Sequence, residues 1–271
     1  MKRYRHYDKN KAIILSCFGS VIEQNKYLEL KKTVEEEFED CDVFLSFSSR
    51  MVLKDLHKRE MPFKNLAQTL ADVDMLGYKN IIVSSINLFP TDEHQVVKKV
   101  VEGFKNFSLS NIRATNAILT KTKETSLFLA DLDKRITTKD RANLFVIHGC
   151  PTLEVPGLDS ITYTAQFLEA INTQNYTCSL EGAFPFYALK DKLISKMKND
   201  GIKDVQIIPM LLVSGNHYKK DMHEIKDELS NGFNSKIVDT QTNSDRFNLI
   251  ELPMTQDIII NNIKDEIIKL G

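Results

Sequence analysis

A chain of 271 residues, 42% of them apolar, is long enough for one large domain or two modest ones with ordinary cores. Its 36 basic and 37 acidic residues leave a formal charge of −1, so no field favours nucleic acid or an anionic membrane surface, and neither is expected as a partner. No apolar run approaches the roughly 18 residues of a membrane span, and the basic MKRYRHYDKNK start leads only into AIILSCF, too short for a signal segment and without a small-residue cleavage site, so a cytoplasmic protein is expected.

In chain order, β-branched apolar runs mark strands at Lys11 to Cys17, Asp42 to Ser46, Asn80 to Ser85 and Asn111 to Leu119. Four more follow at Asn143 to His148, Tyr176 to Leu180, Asp204 to Leu212 and Ser235 to Asp239. Between the first two, Ile22 to Phe38 reads as an amphipathic helix with Leu28, Val34 and Phe38 inward and Glu35, Glu36 and Glu37 in solvent. In the second half Phe186, Leu189, Leu193, Ile194 and Met197 repeat the three-and-four spacing, opened by Pro185 and stopped near Gly201. Strands alternating with helices predict an α/β chain with parallel sheets covered by helices.

The halves echo each other. LGYKNIIVSS, from Leu76, resembles DGIKDVQIIP, from Asp200, and Glu93 lies 13 positions after Asn80 as His217 lies 13 after Asp204. A duplicated α/β unit is therefore expected, with Glu93 and His217 in equivalent loops. The polar stretch Asp133 to Ala142 is the expected boundary, giving domains 1–138 and 139–271, and the last amphipathic stretch, Met254 to Leu270, can pack back on the first half. Cys17, Cys41, Cys150 and Cys178 show no CxxC pairing and read as small buried residues of a reducing compartment.

Two histidines end apolar runs: His148 in LFVIHGCPT and His217 in VQIIPMLLVSGNHYKKDM. The carboxyl edge of an open α/β sheet is where ligands bind, so both could serve one cleft although 69 positions separate them. An exchangeable divalent metal suits imidazole and carboxylate donors, and His148, His217, Glu93 and Glu181 supply that set, each just after a predicted strand. A histidine at a strand end can equally be a capping or core side chain. Gly149 and Gly215 beside them either allow close backbone approach or permit a positive φ. His94 and Asp92 flank Glu93, as supporting or loop residues, while His6, His57 and His223 read as surface residues. CFGS at Cys17 to Ser20 offers Ser20 as a cap after the first strand. GxGxxG, GxxxxGK[ST], GxSxG and HExxH are all missing, which leaves dinucleotide, P-loop, serine-hydrolase and zincin chemistry without their signatures.

At these residues the chain resembles the class II sirohydrochlorin cobaltochelatases of anaerobic cobalamin biosynthesis, in the ferrochelatase-like superfamily. The resemblance runs through AIILSCFGS, FSSRMVLKDL from Phe47, the TDEH loop, VIHG at Val146 to Gly149, LEG at Leu180 to Gly182, PMLLVSGNHYKKDM and, more faintly, ELPMTQDIII. It implies two similar Rossmann-like, chelatase-type domains, each a four-stranded parallel sheet flanked by helices, with a cleft between them. It also implies that His148, Glu181 and His217 bind the metal, that His148 is the base for the pyrrole protons, and that Glu93 is another acidic residue of the active site. The implied reaction inserts a divalent metal, a substrate rather than a cofactor, into sirohydrochlorin or a related tetrapyrrole. Cobalt is the first expectation, with iron and nickel as alternatives; no organic cofactor is expected, and a homo-oligomer is compatible with the resemblance. Insertion expels two pyrrole protons, and imidazole is a base suited to neutral pH. Arg50, Lys54, Lys219 and Lys220 are candidates to meet the pigment's carboxylates.

Departures cluster near the proposed site. The acidic stretch and Ser-Trp that usually follow the family's NDM are replaced by DMHEIKDELSNGF, and Asn87, Thr91 and Asn216 stand where the family has His, Gly and Asp. The competing readings are a chelatase for iron or nickel and another tetrapyrrole, a non-catalytic tetrapyrrole or metal carrier on the same fold, and a solute-binding module of the periplasmic type.

Overall fold

The computed structural model describes residues 5–138, 140–240 and 245–270. Along the chain run β1 (Lys9–Cys17), α1 (Gln24–Glu37), β2 (Cys41–Phe47), α2 (Arg50–Lys58), α3 (Leu66–Met75), β3 (Tyr78–Ile86), α4 (Asp92–Lys105) and β4 (Asn111–Ala114). Next come α5 (Thr122–Ile136), β5 (Ala142–Gly149), α6 (Leu158–Ile171), β6 (Asn175–Glu181), α7 (Phe186–Asn199), β7 (Asp204–Met210), α8 (Asn216–Lys219), α9 (Asp221–Leu229), β8 (Asn234–Ile237) and finally α10 (Pro253–Ile268). The strands form two parallel four-stranded sheets of identical plan, β2-β1-β3-β4 and β6-β5-β7-β8.

Central strands buried on both faces must be apolar throughout, and Ile13, Ile14 and Leu15 in β1 and Leu144, Phe145 and Val146 in β5 are fully buried. Each such side chain stabilises the fold by about 1.5–3 kcal/mol. On one face of the first sheet, Ala12, Ile14, Ile81 and Val83 pack with Leu66, Leu70 and Val73 of α3 and with Val97 and Val101 of α4. In the second, Leu144, Val146 and Ile207 pack with Phe186, Leu193 and Met197 of α7 and with Met222 and Ile225 of α9. Helix starts follow local chemistry: Ser49 accepts from the Val52 amide, and Asn65 with Gln68 closes a capping box on α3.

Local differences from the sequence reading have physical causes. Helix α1 buries Tyr27, Leu30 and Val34, which leaves Leu28 exposed on the flank of that stripe. Strand β4 stops at Ala114 rather than Leu119, because the chain there bonds back to β3 and the loop beyond it, Thr115 N–H to the Val83 carbonyl and Ile118 N–H to that of Asn87. Strand β7 stops at Met210, and the Leu211 and Leu212 carbonyls instead accept from Leu249 and Ile250. Ala117, Ile118, Leu119 and Leu211 stay buried without extending the ladder.

The chain divides into two compact units, 1–118 with 255–271, and 119–254. The division therefore precedes α5, not the polar stretch 133–142 that the sequence offers as boundary. Part of that stretch bonds to buried polar groups at the amino-end edge of the second sheet: Asn175 donates to Asp133 Oδ1 at 2.7 Å and to that network Asn143 adds a bond to Asn175 at 3.2 Å, while Gln206 donates to the Ile136 carbonyl at 2.6 Å. Lys139 lies outside the described residues. Helix α10 belongs to the first unit, where Glu266 accepts from Arg113 at 2.7 Å and from Lys269 at 2.5 Å, and Lys264 pairs with Glu37. Burial alone would raise the Glu266 carboxyl, but the bonds from Lys269 and Arg113 prevail and hold it below the usual carboxylate range. No helix among the described residues is long and apolar enough to cross a membrane.

The two units match residue for residue where the echo predicts. Asn80 pairs with Asn111 at the start of the β3–β4 ladder, and Asp204 pairs with Asn234 at the start of β7–β8. From these starts Glu93 and His217 become the second residues of the helices after β3 and β7, α4 and α8. Registers Cys17 with Ile86 and Ile147 with Met210 then equate Phe18 with His148, and Gly19 with Gly149, whose φ angles are +97° and +80°. Duplicated backbones carry different chemistry: an exposed phenyl ring in the first unit, an imidazole in the second.

Candidate active site

In the second unit the carboxyl edge of the sheet gathers three of the four candidate residues. His148 is the next-to-last residue of β5, Glu181 is the last of β6, and His217 stands in α8 beyond β7. His148 Nε2 and His217 Nε2 lie 3.1 Å apart, with the rings edge to face at 87°. Both side chains are about half exposed, at 42% and 52%.

The other ring nitrogens decide what these two atoms carry. His217 Nδ1 lies 2.6 Å from Asp221 Oδ2, and His148 Nδ1 lies 3.2 Å from the Gly149 carbonyl and 3.8 Å from Glu181 Oε1. Carbonyl and carboxylate oxygens only accept, so each imidazole satisfies its partner by carrying its proton on Nδ1. With both rings neutral, the two Nε2 atoms face each other with lone pairs, an arrangement relieved by a proton or a metal ion between them. Two nitrogens about 2.0–2.1 Å from one ion stand about 2.9 Å apart at a right angle and about 3.3 Å apart at the tetrahedral angle, so the observed separation fits the bite of one first-row metal. Glu181 approaches His148 at Nδ1, and among the described residues no three His, Cys, Asp or Glu side chains already converge as a metal site.

The loops that carry these groups interlock. A Cβ on Gly149 would stand 1.9 Å from the Glu181 carbonyl oxygen, and one on Gly182, at φ +73°, would stand 1.7 Å from that of Cys150. Close approach and positive φ thus both require glycine at 149 and 182. Gly215 has open space around it and no positive φ, so neither requirement applies there. Gly182→Ala is expected to cost about 3 kcal/mol of unfolding free energy, from a left-handed backbone and a clash with a main-chain oxygen. Urea denaturation checks this, and a change below about 0.5 kcal/mol would refute the interlock.

Glu93 belongs to the first unit, where Thr91 Oγ1 donates to its Oε2 at 3.2 Å. Its neighbour His94 is not a loop residue but is 1% exposed, with Nδ1 2.8 Å from Ser85 Oγ, and Asn87 donates to the same hydroxyl at 2.9 Å. Burial, assisted by the Lys98 charge, pushes His94 down to about 4, so it is neutral at physiological pH and anchors the first turn of α4. Ser20 caps the turn after β1 by accepting from the Ile22 and Glu23 amides. Arg50 and Lys54 are exposed on α2, Lys219 and Lys220 are exposed beside His217, and His6, His57 and His223 are exposed as read. All four cysteines are buried thiols outside any disulfide. Sequence reasoning missed Asp221. Its signal was present, since it lies four positions after His217 in a helical stretch.

The cobalt chelatase (CbiK) family profile matches residues 11–268. The sirohydrochlorin cobaltochelatase of Salmonella typhimurium is 20% identical over 217 residues, 78% of this chain and 80% of that protein. Among solved structures, SirB from Bacillus subtilis with Fe3+ superposes with a TM-score of 0.66 at 16% identity, covering 94% of this chain and 95% of that one. The sirohydrochlorin chelatase SirB from Bacillus subtilis subspecies spizizenii, in complex with cobalt, gives 0.64 at 13% identity, with 94% of each chain covered. These two likenesses show the shared fold. With the family match spanning nearly all of the sequence, the chain belongs to the cobalt chelatase family.

Proposed function

We propose that this chelatase inserts Co²⁺ into sirohydrochlorin, receiving the ion on the Nε2 atoms of His148 and His217. The observation that carries the reading is the pair of Nε2 atoms 3.1 Å apart, with an acceptor oxygen behind each ring at Nδ1. Glu181, with a side chain 47% exposed, completes the ligand set by rotating a carboxylate oxygen onto the ion. Carboxylate and imidazole together replace part of the hydration shell without the grip of thiolates, so the ion remains transferable.

The reaction exchanges two pyrrole N–H protons for one M²⁺. His148 accepts one pyrrole proton on Nε2 as the metal leaves that nitrogen for the macrocycle, and the Glu181 carboxylate, 3.8 Å from Nδ1 of the same ring, accepts the second as it releases the ion. Lys219 and Lys220, exposed beside His217, meet carboxylates of the pigment.

An anaerobic absorbance time course with sirohydrochlorin and Co²⁺, Fe²⁺ or Ni²⁺ tests this. The expected result is spectral conversion faster than the uncatalysed rate, fastest with Co²⁺. Tight pigment binding with no conversion by any metal would replace the enzyme with a carrier; a faster reaction with Fe²⁺ or Ni²⁺ would reassign the metal.

A further inference from the structure

The segment between Glu181 and α7 is built to hold an aromatic ring in a costly conformation. Phe184 has φ +61°, and among the described residues only Glu60 shares a positive φ without being glycine. A bulky side chain in the left-handed region is strained, and such strain persists only where the surroundings over-determine it. Ser179 provides that constraint: its N–H donates to the Phe184 carbonyl at 2.9 Å, and its hydroxyl lies 2.8 Å from the Glu181 carbonyl oxygen and 2.6 Å from that of Ala183. Pro185 bridges back to Ser179 in parallel register, and Gly182 locks the other side of the turn against Cys150.

None of this effort buries the ring. Phe184 is 47% exposed, three residues past Glu181 on the edge that bears His148. Glycine already serves the positive φ at 182 in the same turn and would relieve the strain at 184 as well. The backbone therefore spends strain to present an apolar plane to solvent on the sheet edge that also carries Glu181 and His148. A flat conjugated macrocycle needs one such plane, because aromatic faces gain most from offset stacking.

We infer that Phe184 stacks on the face of the tetrapyrrole and sets the plane in which its nitrogens meet the metal. This rests on the proposed substrate. The residue recognises the conjugated ring system, leaving the peripheral carboxylates to other groups.

The test measures binding of metal-free sirohydrochlorin to the whole chain by absorbance titration, together with thermal unfolding. Phe184→Gly accepts the left-handed backbone and so folds; it is expected to raise Tm and weaken pigment binding about tenfold. Phe184→Leu keeps apolar bulk but not the plane and should also weaken binding, whereas Phe184→Trp should restore it. Binding within twofold of wild type in both the Gly and Leu variants would overturn the stacking role alone. Failure of the wild-type protein to bind sirohydrochlorin would overturn the proposed substrate and this inference with it.

Discussion

His148→Ala is expected to bring cobalt insertion down to the uncatalysed rate, a loss of at least about a thousandfold, while the protein stays folded. The first half of that expectation follows from the doubled duty proposed for one ring, to hold the ion through Nε2 and to accept a pyrrole proton at the moment of transfer. The second half follows from exposure: a side chain 42% exposed at a strand end contributes little core area, so unfolding free energy should move by less than about 1 kcal/mol. His217→Ala should fall nearly as far, because one imidazole cannot supply a two-nitrogen bite. The double variant should be no worse than either single one, as expected for groups that act as a unit. Steady-state insertion assays on the three variants, with circular dichroism on each, check this. Substantial turnover by His148→Ala would remove the ring from both roles.

The fold was legible because burial left little choice. Strands such as β1 and β5 are covered on both faces, so their apolar runs are uninterrupted and their centres stand out even where their ends do not. Where apolar residues continued past the ladder, as in Ala117 to Leu119 and in Leu211, the pattern overran the strand, since hydrophobicity reports burial and not hydrogen-bond partners. The thirteen-residue echo identified Glu93 and His217 as equivalent because the loop from third strand to following helix has the same length in both units.

Features that depend on long-range bonds were hidden. His94 sits in a charged stretch, DEHQ, yet it is buried against Ser85, a partner nine positions away whose hydroxyl a sequence cannot orient. Asp133 resembles a linker residue until Asn175, 42 positions on, bonds to it. Phe184 carries no sign of its positive φ, since a phenylalanine in that region contradicts the propensity a reader would use. In each case a local rule is overridden by a tertiary contact, and two of the three exceptions stand beside candidate site residues.

Asp221→Ala should reduce kcat/KM for insertion by about 10–100-fold without touching the ion or the pigment. The carboxylate accepts from His217 Nδ1 at 2.6 Å and thereby holds the proton on that nitrogen and the lone pair on Nε2. Without it the ring is free to take the opposite tautomer, which aims an N–H at the ion and cannot bind it, or to rotate out of the edge-to-face arrangement with His148. Asp221→Asn keeps an acceptor oxygen at the same place and loses only the charge, so it should retain more activity than the alanine variant. A purely structural role predicts a different pattern. Asp221 is also the first residue of α9, where a negative charge favours the helix by about 0.3–1 kcal/mol, a loss that both substitutions would share. The deciding measurement is Co²⁺ titration followed by the visible bands of the bound ion, beside pigment binding and Tm. Weaker cobalt binding in the alanine variant, partial recovery with asparagine and unchanged sirohydrochlorin affinity would identify Asp221 as the residue that positions His217. Equal cobalt affinity in all three proteins would mean that the tautomer is set without it.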